Sequence, residues 1–294
     1  SMFNVGLDYN FLNSRVNGTF EYYDKRTKDL LYTYQVPVPP FLYPDMLANV
    51  GSMSNKGIEV LISGDIIRQR DLRWTASLNM AHNKNKITKL SSEEFSTSSI
   101  KTGDAWIRGG SSNTTHIVEE GKEVGTFYGW LCYGLDENGM YIFDDMIDGE
   151  AGLTNDDRTY IGSAQPKLTY GLSNIITWKN WELNFFFRGV YGNDLLNFSK
   201  MSYATTQWLP GANVLHDALT IGLADNPKYS SFYIEKGSFL RLDNASLGYS
   251  FDVSRWNYLQ KLRVYVTGQN LFIITNYTGL DPEVNMSGLE PGVE

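Results

Sequence analysis

A period of two runs through this sequence and constrains it more than any other feature. Residues 166–192 show it most clearly. Leu168, Tyr170, Leu172, Ile176 and Trp178 share one parity, while Lys167, Thr169, Gly171, Ser173 and Thr177 share the other. Past Lys179-Asn180, the residues Trp181, Leu183, Phe185, Phe187 and Tyr191 alternate with Glu182, Asn184 and Arg188. Successive side chains of a strand point to opposite faces, so this pattern predicts a hairpin with one apolar and one mostly polar face. Each arm holds about ten residues, long for a soluble strand and suited to a tilted strand that crosses a bilayer. Trp178 and Trp181 bracket the turn, where a membrane interface favours amphipathic rings.

The pattern recurs. Phe3, Val5, Leu7, Tyr9 and Phe11 form one apolar row, and Val16, Gly18, Phe20 and Tyr22 form its return. Ile58, Val60 and Ile62 mark a third strand, and Trp74, Ala76, Leu78 and Met80 a fourth. After the central hairpin, Ala245, Leu247, Tyr249 and Phe251 precede Leu262, Val264, Val266 and Gly268. The opposite parity carries Asn17, Glu21, Glu59, Ser63, Arg73 and Thr75, as a polar lumen requires. Connections alternate between short and long. Short ones fall at Asn13-Ser14, near Arg68 to Asp71, at Lys179-Asn180 and around Trp256; long ones occupy roughly residues 26–56, 83–165 and 192–237. Pro37-Val38-Pro39-Pro40 stops any strand inside the first excursion, and a helical stretch is expected between Asn213 and Leu223 in the third. A last polar segment begins near Thr275 and reaches no further strand.

Outer-membrane barrels show this asymmetry of short turns and long loops, and compact soluble domains rarely hold several such loops. The predicted class is therefore all-β, an antiparallel transmembrane β-barrel embedded in a lipid bilayer. Both ends of the chain fall on the long-loop side, whereas self-contained barrels start and finish on the other. The expectation is a partial wall of about eight to ten strands from a larger barrel. A secreted β-sandwich carbohydrate-binding module and a passive porin-like barrel are the alternatives.

Composition excludes little else. The 294 residues are 42% hydrophobic, 14% aromatic and 20% charged, with net charge -8 and no Lys/Arg run, which argues against a nucleic-acid partner. The single cysteine, Cys132, excludes an internal disulfide. No apolar run approaches 18 residues and the strand pattern begins at once, so neither a membrane-spanning helix nor a signal peptide is expected within these residues.

Several stretches resemble the SusC/RagA family of TonB-linked outer-membrane transporters. They include Asn4-Val5-Gly6-Leu7-Asp8-Tyr9, Asp24-Lys25-Arg26-Thr27-Lys28-Asp29-Leu30-Leu31 and Asn49-Val50-Gly51-Ser52-Met53-Ser54-Asn55-Lys56-Gly57-Ile58-Glu59. Near the end, Val266-Thr267-Gly268-Gln269-Asn270-Leu271-Phe272 and Gly279-Leu280-Asp281-Pro282-Glu283 complete an ordered set across the chain. The resemblance implies a 22-stranded barrel with an N-terminal plug and a TonB-contacting segment. It also implies a SusD-like surface lipoprotein as lid, and import of oligosaccharides or peptides. By that resemblance, residues 1–294 look like the C-terminal part of such a barrel, and the plug and final strand are expected to lie outside them. The resemblance implies a transporter, not an enzyme, and no cofactor.

Candidate chemistry is sparse. His82, His116 and His216 lie far apart, without the spacing of a metal site, and no nucleophile elbow or phosphate loop is present. The acidic stretch around Asp144, Asp148, Gly149 and Asp157 partly fits a calcium loop, but Met146 replaces an oxygen ligand and no Glu stands at the twelfth position, so an ordinary acidic turn is the favoured expectation. Glu182 and Arg188 are candidates for plug contact. Trp106, Tyr128, Trp130 and Trp208, aromatics of the long loops, are the candidate ligand-binding residues, because flat rings with a polar edge suit sugar stacking or a protein interface.

Overall fold

The computed structural model describes residues 1–35, 38–39, 42–43, 45–90, 97–107, 113–145, 147–256 and 258–294. In chain order, β1 (Met2–Phe11), β2 (Val16–Gln35), β3 (Asp45–Arg68) and β4 (Leu72–Lys89) lead into a first excursion. That excursion holds β5 (Ser99–Thr102), β6 (His116–Glu119), β7 (Thr126–Trp130), β8 (Cys132–Leu135), β9 (Tyr141–Phe143) and β10 (Arg158–Ser163). Next come β11 (Leu168–Trp178) and β12 (Trp181–Tyr191), then β13 (Asp194–Leu196), α1 (Phe198–Tyr203), α2 (Ala218–Ile221) and β14 (Ile234–Lys236). The chain closes with β15 (Phe239–Phe251) and β16 (Leu262–Thr275).

Eight long strands form one antiparallel sheet in the order β1-β2-β3-β4-β11-β12-β15-β16. This is a partial barrel wall, and its register sorts the two parities. Asn17 pairs with Ser63, Ser63 with Ser77 and Ser77 with Ser173, so one layer of small polar side chains crosses four strands on the inward face. Ser63 and Ser77 share a hydrogen bond of 2.6 Å. Glu21, Glu59, Thr75, Arg73, Glu182, Asn184 and Arg188 lie on the same face. The other face carries the apolar rows; Phe3, Leu7, Val264 and Val266 are all more than half exposed, as lipid-facing side chains must be. Tyr9 lies across its partner Gly18, and Tyr170 across Gly189; a Cβ at either glycine would meet the ring. Aromatic cover of a cross-strand glycine pins register while leaving the outer surface smooth.

The strands run further than alternation alone indicates. The span 26–56, expected as an excursion, instead belongs mostly to β2, of 20 residues, and β3, of 24. Strand β2 ends at Gln35, two residues short of the proline-rich run, in which only Val38 and Pro39 are described. The expected helix is confined to Ala218–Ile221 and closed by Gly222 at φ 71°, while α1 is a second helix that lacked a periodic signature. Asn197 caps α1, its side chain accepting from the Lys200 amide at 2.8 Å.

The excursions pack into a loop layer with its own core. Phe127, Leu196, Met201, Tyr229 and Tyr233 are wholly buried in one cluster with Ala105 and Ile107. A second cluster joins this layer to the wall through Ile87, Leu90 and Val118. Residues 276–294 strap across both. Leu196 N–H donates to Gly292 and Glu294 N–H to Leu196, while Arg241 of β15 holds Asp281 at 2.6 Å.

Candidate functional site

The loop layer contains a four-stranded sheet, β10-β7-β6-β5. Tyr128 and Trp130 sit two residues apart on β7, hence on one face, and pair with Tyr160 and Arg158 of β10. The Arg158 guanidinium lies 5.2 Å from the Tyr128 ring centre and 5.6 Å from that of Trp130. Arg158 is itself buried and donates to the Thr114 and Tyr128 carbonyls, which fixes its plane. Lys101 stands 5.4 Å from the Tyr128 ring, and Lys122 lies 3.7 Å from that of Tyr160. Tyr160 packs edge-on against Tyr128 at 5.9 Å. Its phenol donates to Glu119, which pushes the phenol up to about 12. Cations over ring faces are attracted by the aromatic quadrupole, so this surface is an aromatic platform set among positive charges.

The four candidate aromatics therefore divide. Tyr128 and Trp130 are together; the Trp130 indole donates to the Thr154 carbonyl at 2.6 Å, leaving only its ring for stacking. Trp106 stands alone at 63% exposure, turned outward because Ala105 and Ile107 on either side enter the core. Trp208 is half-buried in a 3-10 turn, and its indole donates to the Ser202 carbonyl at 3.1 Å.

Sequence reasoning missed a cavity of about 480 Å³ between α1, α2 and the strap, lined by Asn197, Lys200, Leu215, Ile221, Thr278 and Leu280. Its polar wall is an ion pair, Lys200 to Glu235 at 3.0 Å, with Glu235 also accepting from the Thr278 hydroxyl at 2.8 Å. Burial pushes the Glu235 carboxyl up, but hydrogen bonds from Thr278 and Lys200 outweigh it and hold the group below the usual range. The only local signal in the sequence is the cap pattern Asn197-x-x-Lys200, which is too common to mark a cavity.

Two of the sequence candidates have partners within the described residues. Glu182 and Arg188 are engaged within the wall: Glu182 pairs with Arg263 at 2.8 Å, and Arg188 with Asp243 at 2.7 Å and with Glu283. The acidic stretch is not arranged as a ligand set, with Met146 outside the described residues. Asp144 accepts from the Tyr133 phenol at 2.8 Å, Asp148 from the Glu150 amide at 2.9 Å, and buried Asp157 from the Thr154 amide at 2.7 Å. That amide, chiefly, holds the Asp157 carboxyl below its ordinary value. The expected outcome is that a chelator leaves protease cleavage in residues 144–157 unchanged, whereas Asp157→Ala raises it several-fold by freeing those amides. Time-resolved digestion followed by mass spectrometry checks both. Among the described residues, no group of His, Cys, Asp and Glu side chains is placed to hold a metal ion.

The TonB dependent receptor-like β-barrel family matches residues 2–271. The chain belongs to that family. TonB-dependent receptor SusC of Bacteroides thetaiotaomicron is 33% identical over 302 residues, covering 98% of this chain and 30% of the relative. TonB-dependent receptor P3 of Formosa agariphila is 30% identical over 310 residues, covering 96% and 30%. The solved structure of the RagAB peptide transporter superposes with a TM-score of 0.81 at 27% identity, covering 100% of this chain and 33% of that one. The chain thus spans about 30% of the length of these curated relatives. Membership in the TonB dependent receptor-like barrels accounts for the two-faced wall, the long loops on one rim and the SusC/RagA resemblance of the sequence.

Proposed function

We propose that residues 1–294 are one stretch of barrel wall from a longer outer-membrane importer of oligosaccharides or peptides. The importer is driven through the TonB complex by a plug outside this stretch and works with a SusD-like surface lipoprotein. The observation that carries this reading is the similarity to SusC across 98% of the chain, joined to a polar inward wall capped by a packed loop layer. In this reading the short turns face the periplasm and the loop layer faces outside. The named structural relative is a peptide transporter and SusC a receptor, so both substrate classes stay in the test.

Within the importer, the Tyr128 and Trp130 platform is the ligand surface. Rings supply stacking, while Lys101 and the fixed Arg158 favour substrates carrying carboxylates. Tyr128→Ala and Trp130→Ala in the complete transporter are each expected to weaken substrate binding roughly tenfold, about 1.4 kcal/mol. Calorimetry with acidic oligosaccharides in one arm and peptides in the other reads this. Unchanged affinity in both arms would remove the platform from the binding surface. Purification without a lipoprotein partner would favour the passive porin instead.

A further inference from the structure

Strands β2, β3 and β4 hold 20, 24 and 18 residues. A tilted strand needs only about 9–11 to cross the hydrocarbon. Register fixes where the excess points. Tyr22, Ile58 and His82 are partners on the outward, lipid-facing parity; the next outward layer is Asp24, Lys56 and Lys84, and the one beyond is Arg26, Ser54 and Lys86. The inward side chains of the same extension are covered by the loop layer, Ile87 at 2% exposure and Asn85 at 8%. The outward lysines stay exposed.

Two clefts open on this outward surface. One, of about 390 Å³, is lined by Lys84, Lys86, Lys122 and Tyr160; the other, of about 410 Å³, by Arg26, Lys28, Lys56 and Lys89. A chain of net charge -8 thus gathers seven of its 25 Lys and Arg residues here. Local carboxylates offset only part of this charge. Asp24 is shared between Lys56 at 3.0 Å and Arg26 at 3.6 Å, and Glu123 accepts from the Ser163 hydroxyl at 2.9 Å. Lys56 and Lys84 are direct cross-strand partners, an arrangement that repels unless an anion sits between them. The surface faces sideways from the wall, directly above the apolar band, and β2–β4 lie inside the strand order with a neighbour on each edge.

We propose that this outward basic patch is a binding site for the phosphate-bearing headgroup of an anionic lipid in the outer leaflet. The acyl chains lie along the same face, against Tyr22, Ile58 and Met80. Phosphate oxygens accept several charge-assisted hydrogen bonds at once, which suits clustered ammonium groups, and the apolar band below suits the tails. A lipid is favoured over a protein because the cations and the band share strands and parity. The inference rests on the loop side being the outer one.

The test uses the complete transporter in mild detergent, with native mass spectrometry reading retention of a glycolipid bearing two phosphates (lipid A) against its dephosphorylated form. The fourfold variant Lys56→Ser, Lys84→Ser, Lys86→Ser, Lys122→Ser is expected to retain at least about tenfold less of the phosphorylated lipid. The matching fourfold arginine variant is expected to retain it, and heat-modifiable gel mobility shows that both barrels fold. Equal retention by the serine variant overturns the proposal. So does displacement of the lipid by inorganic pyrophosphate at the concentration where pyrophosphate itself binds, which marks a free-anion site. Loss of a co-purifying protein with the lipid retained marks a protein surface and also overturns it. Retention is read without substrate, so failure here is distinct from failure of the importer reading.

Discussion

Arg241→Ala is expected to release the strap formed by residues 276–294 and to destabilise the loop layer by about 2–4 kcal/mol, in the range for breaking a mostly buried ion pair. The Arg241 side chain is 10% exposed and donates through Nη2 to both Asp281 oxygens, at 2.6 and 2.8 Å, while Nε faces Glu283 at 3.0 Å. Glu283 bridges onward to Arg188, whose Nε reaches Asp243 at 2.7 Å. Asp243 is the extra residue of a β-bulge, where the partners of Leu242 and Asn244 are out of step on both neighbouring strands. A bulge turns one side chain out of the ladder, and here it aims a carboxylate at Arg188. Burial pushes the Asp281 carboxyl up, but the Glu283 amide and the Arg241 guanidinium together leave it below its ordinary value.

Removing Arg241 strands less than a full buried charge, because Asp281 is half exposed and Glu283 keeps Arg188. The cost is correspondingly below the maximum for such pairs. Arg241→Lys is expected to recover only part of it, since an ammonium cannot span two carboxylates as a guanidinium fork does. Hydrogen exchange of the amides of Leu196 and Glu294, which tie the strap to β13, reads the release. Exchange rates unchanged from wild type would show that the ion pairs do not hold the strap.

The second large effect is a loss of loop-layer stability on acidification. His116 is fully buried; its Nε2 faces the Pro291 carbonyl of the strap at 2.9 Å, and its Nδ1 lies 2.8 Å from the Thr115 hydroxyl. Those partners suit a neutral ring that donates from Nε2 and accepts at Nδ1. Burial lowers its pKa to about 4, against smaller opposing contributions from the Pro291 carbonyl and Glu290. The folded value lies below the unfolded one, so the unfolded chain binds more protons between them. The contribution is intact above about pH 6.5 and is lost progressively as pH falls towards 4, on the order of 3 kcal/mol in full. Protease sensitivity of the strap is expected to rise across that window in the wild type. In His116→Gln the rise is expected to be absent, because no group titrates there. A wild-type profile that stays flat from pH 7 to 4 would refute the assignment.

Much of the wall was legible because a membrane imposes a simple rule on each residue. A side chain that faces lipid is apolar and one that faces the lumen is free to be polar, so parity alone separates Leu183 from Glu182 and Phe20 from Glu21. Trp178 and Trp181 announced their turn for the same reason, and they are cross-strand partners. The strand extensions were not legible. Beyond the bilayer both parities turn polar, as in Ser54, Asn55 and Lys56, and alternation vanishes although the hydrogen-bond ladder continues. The loop layer was illegible for a different reason. His116 meets Pro291, and Arg158 meets Thr114, only because distant excursions fold together, and no local pattern encodes those meetings. Of the candidate aromatics, Tyr128 and Trp130 were one step apart on a strand too short to show a period, while Trp106 and Trp208 shared only their chemistry with them.

The amino-acid sequence by itself determined the class of fold, the eight wall strands, which of their faces meets lipid, and the family. Each of these follows from strand periodicity or from residues read in order. Only the tertiary structure decided that Asp281 and Glu283 close on Arg188 and Arg241, and that His116 holds the strap. It likewise decided that the basic side chains of β2, β3 and β4 fall on one outward surface. Those outcomes depend on register and on long-range packing, whose energies arise between segments far apart in the chain and leave no mark in either segment alone.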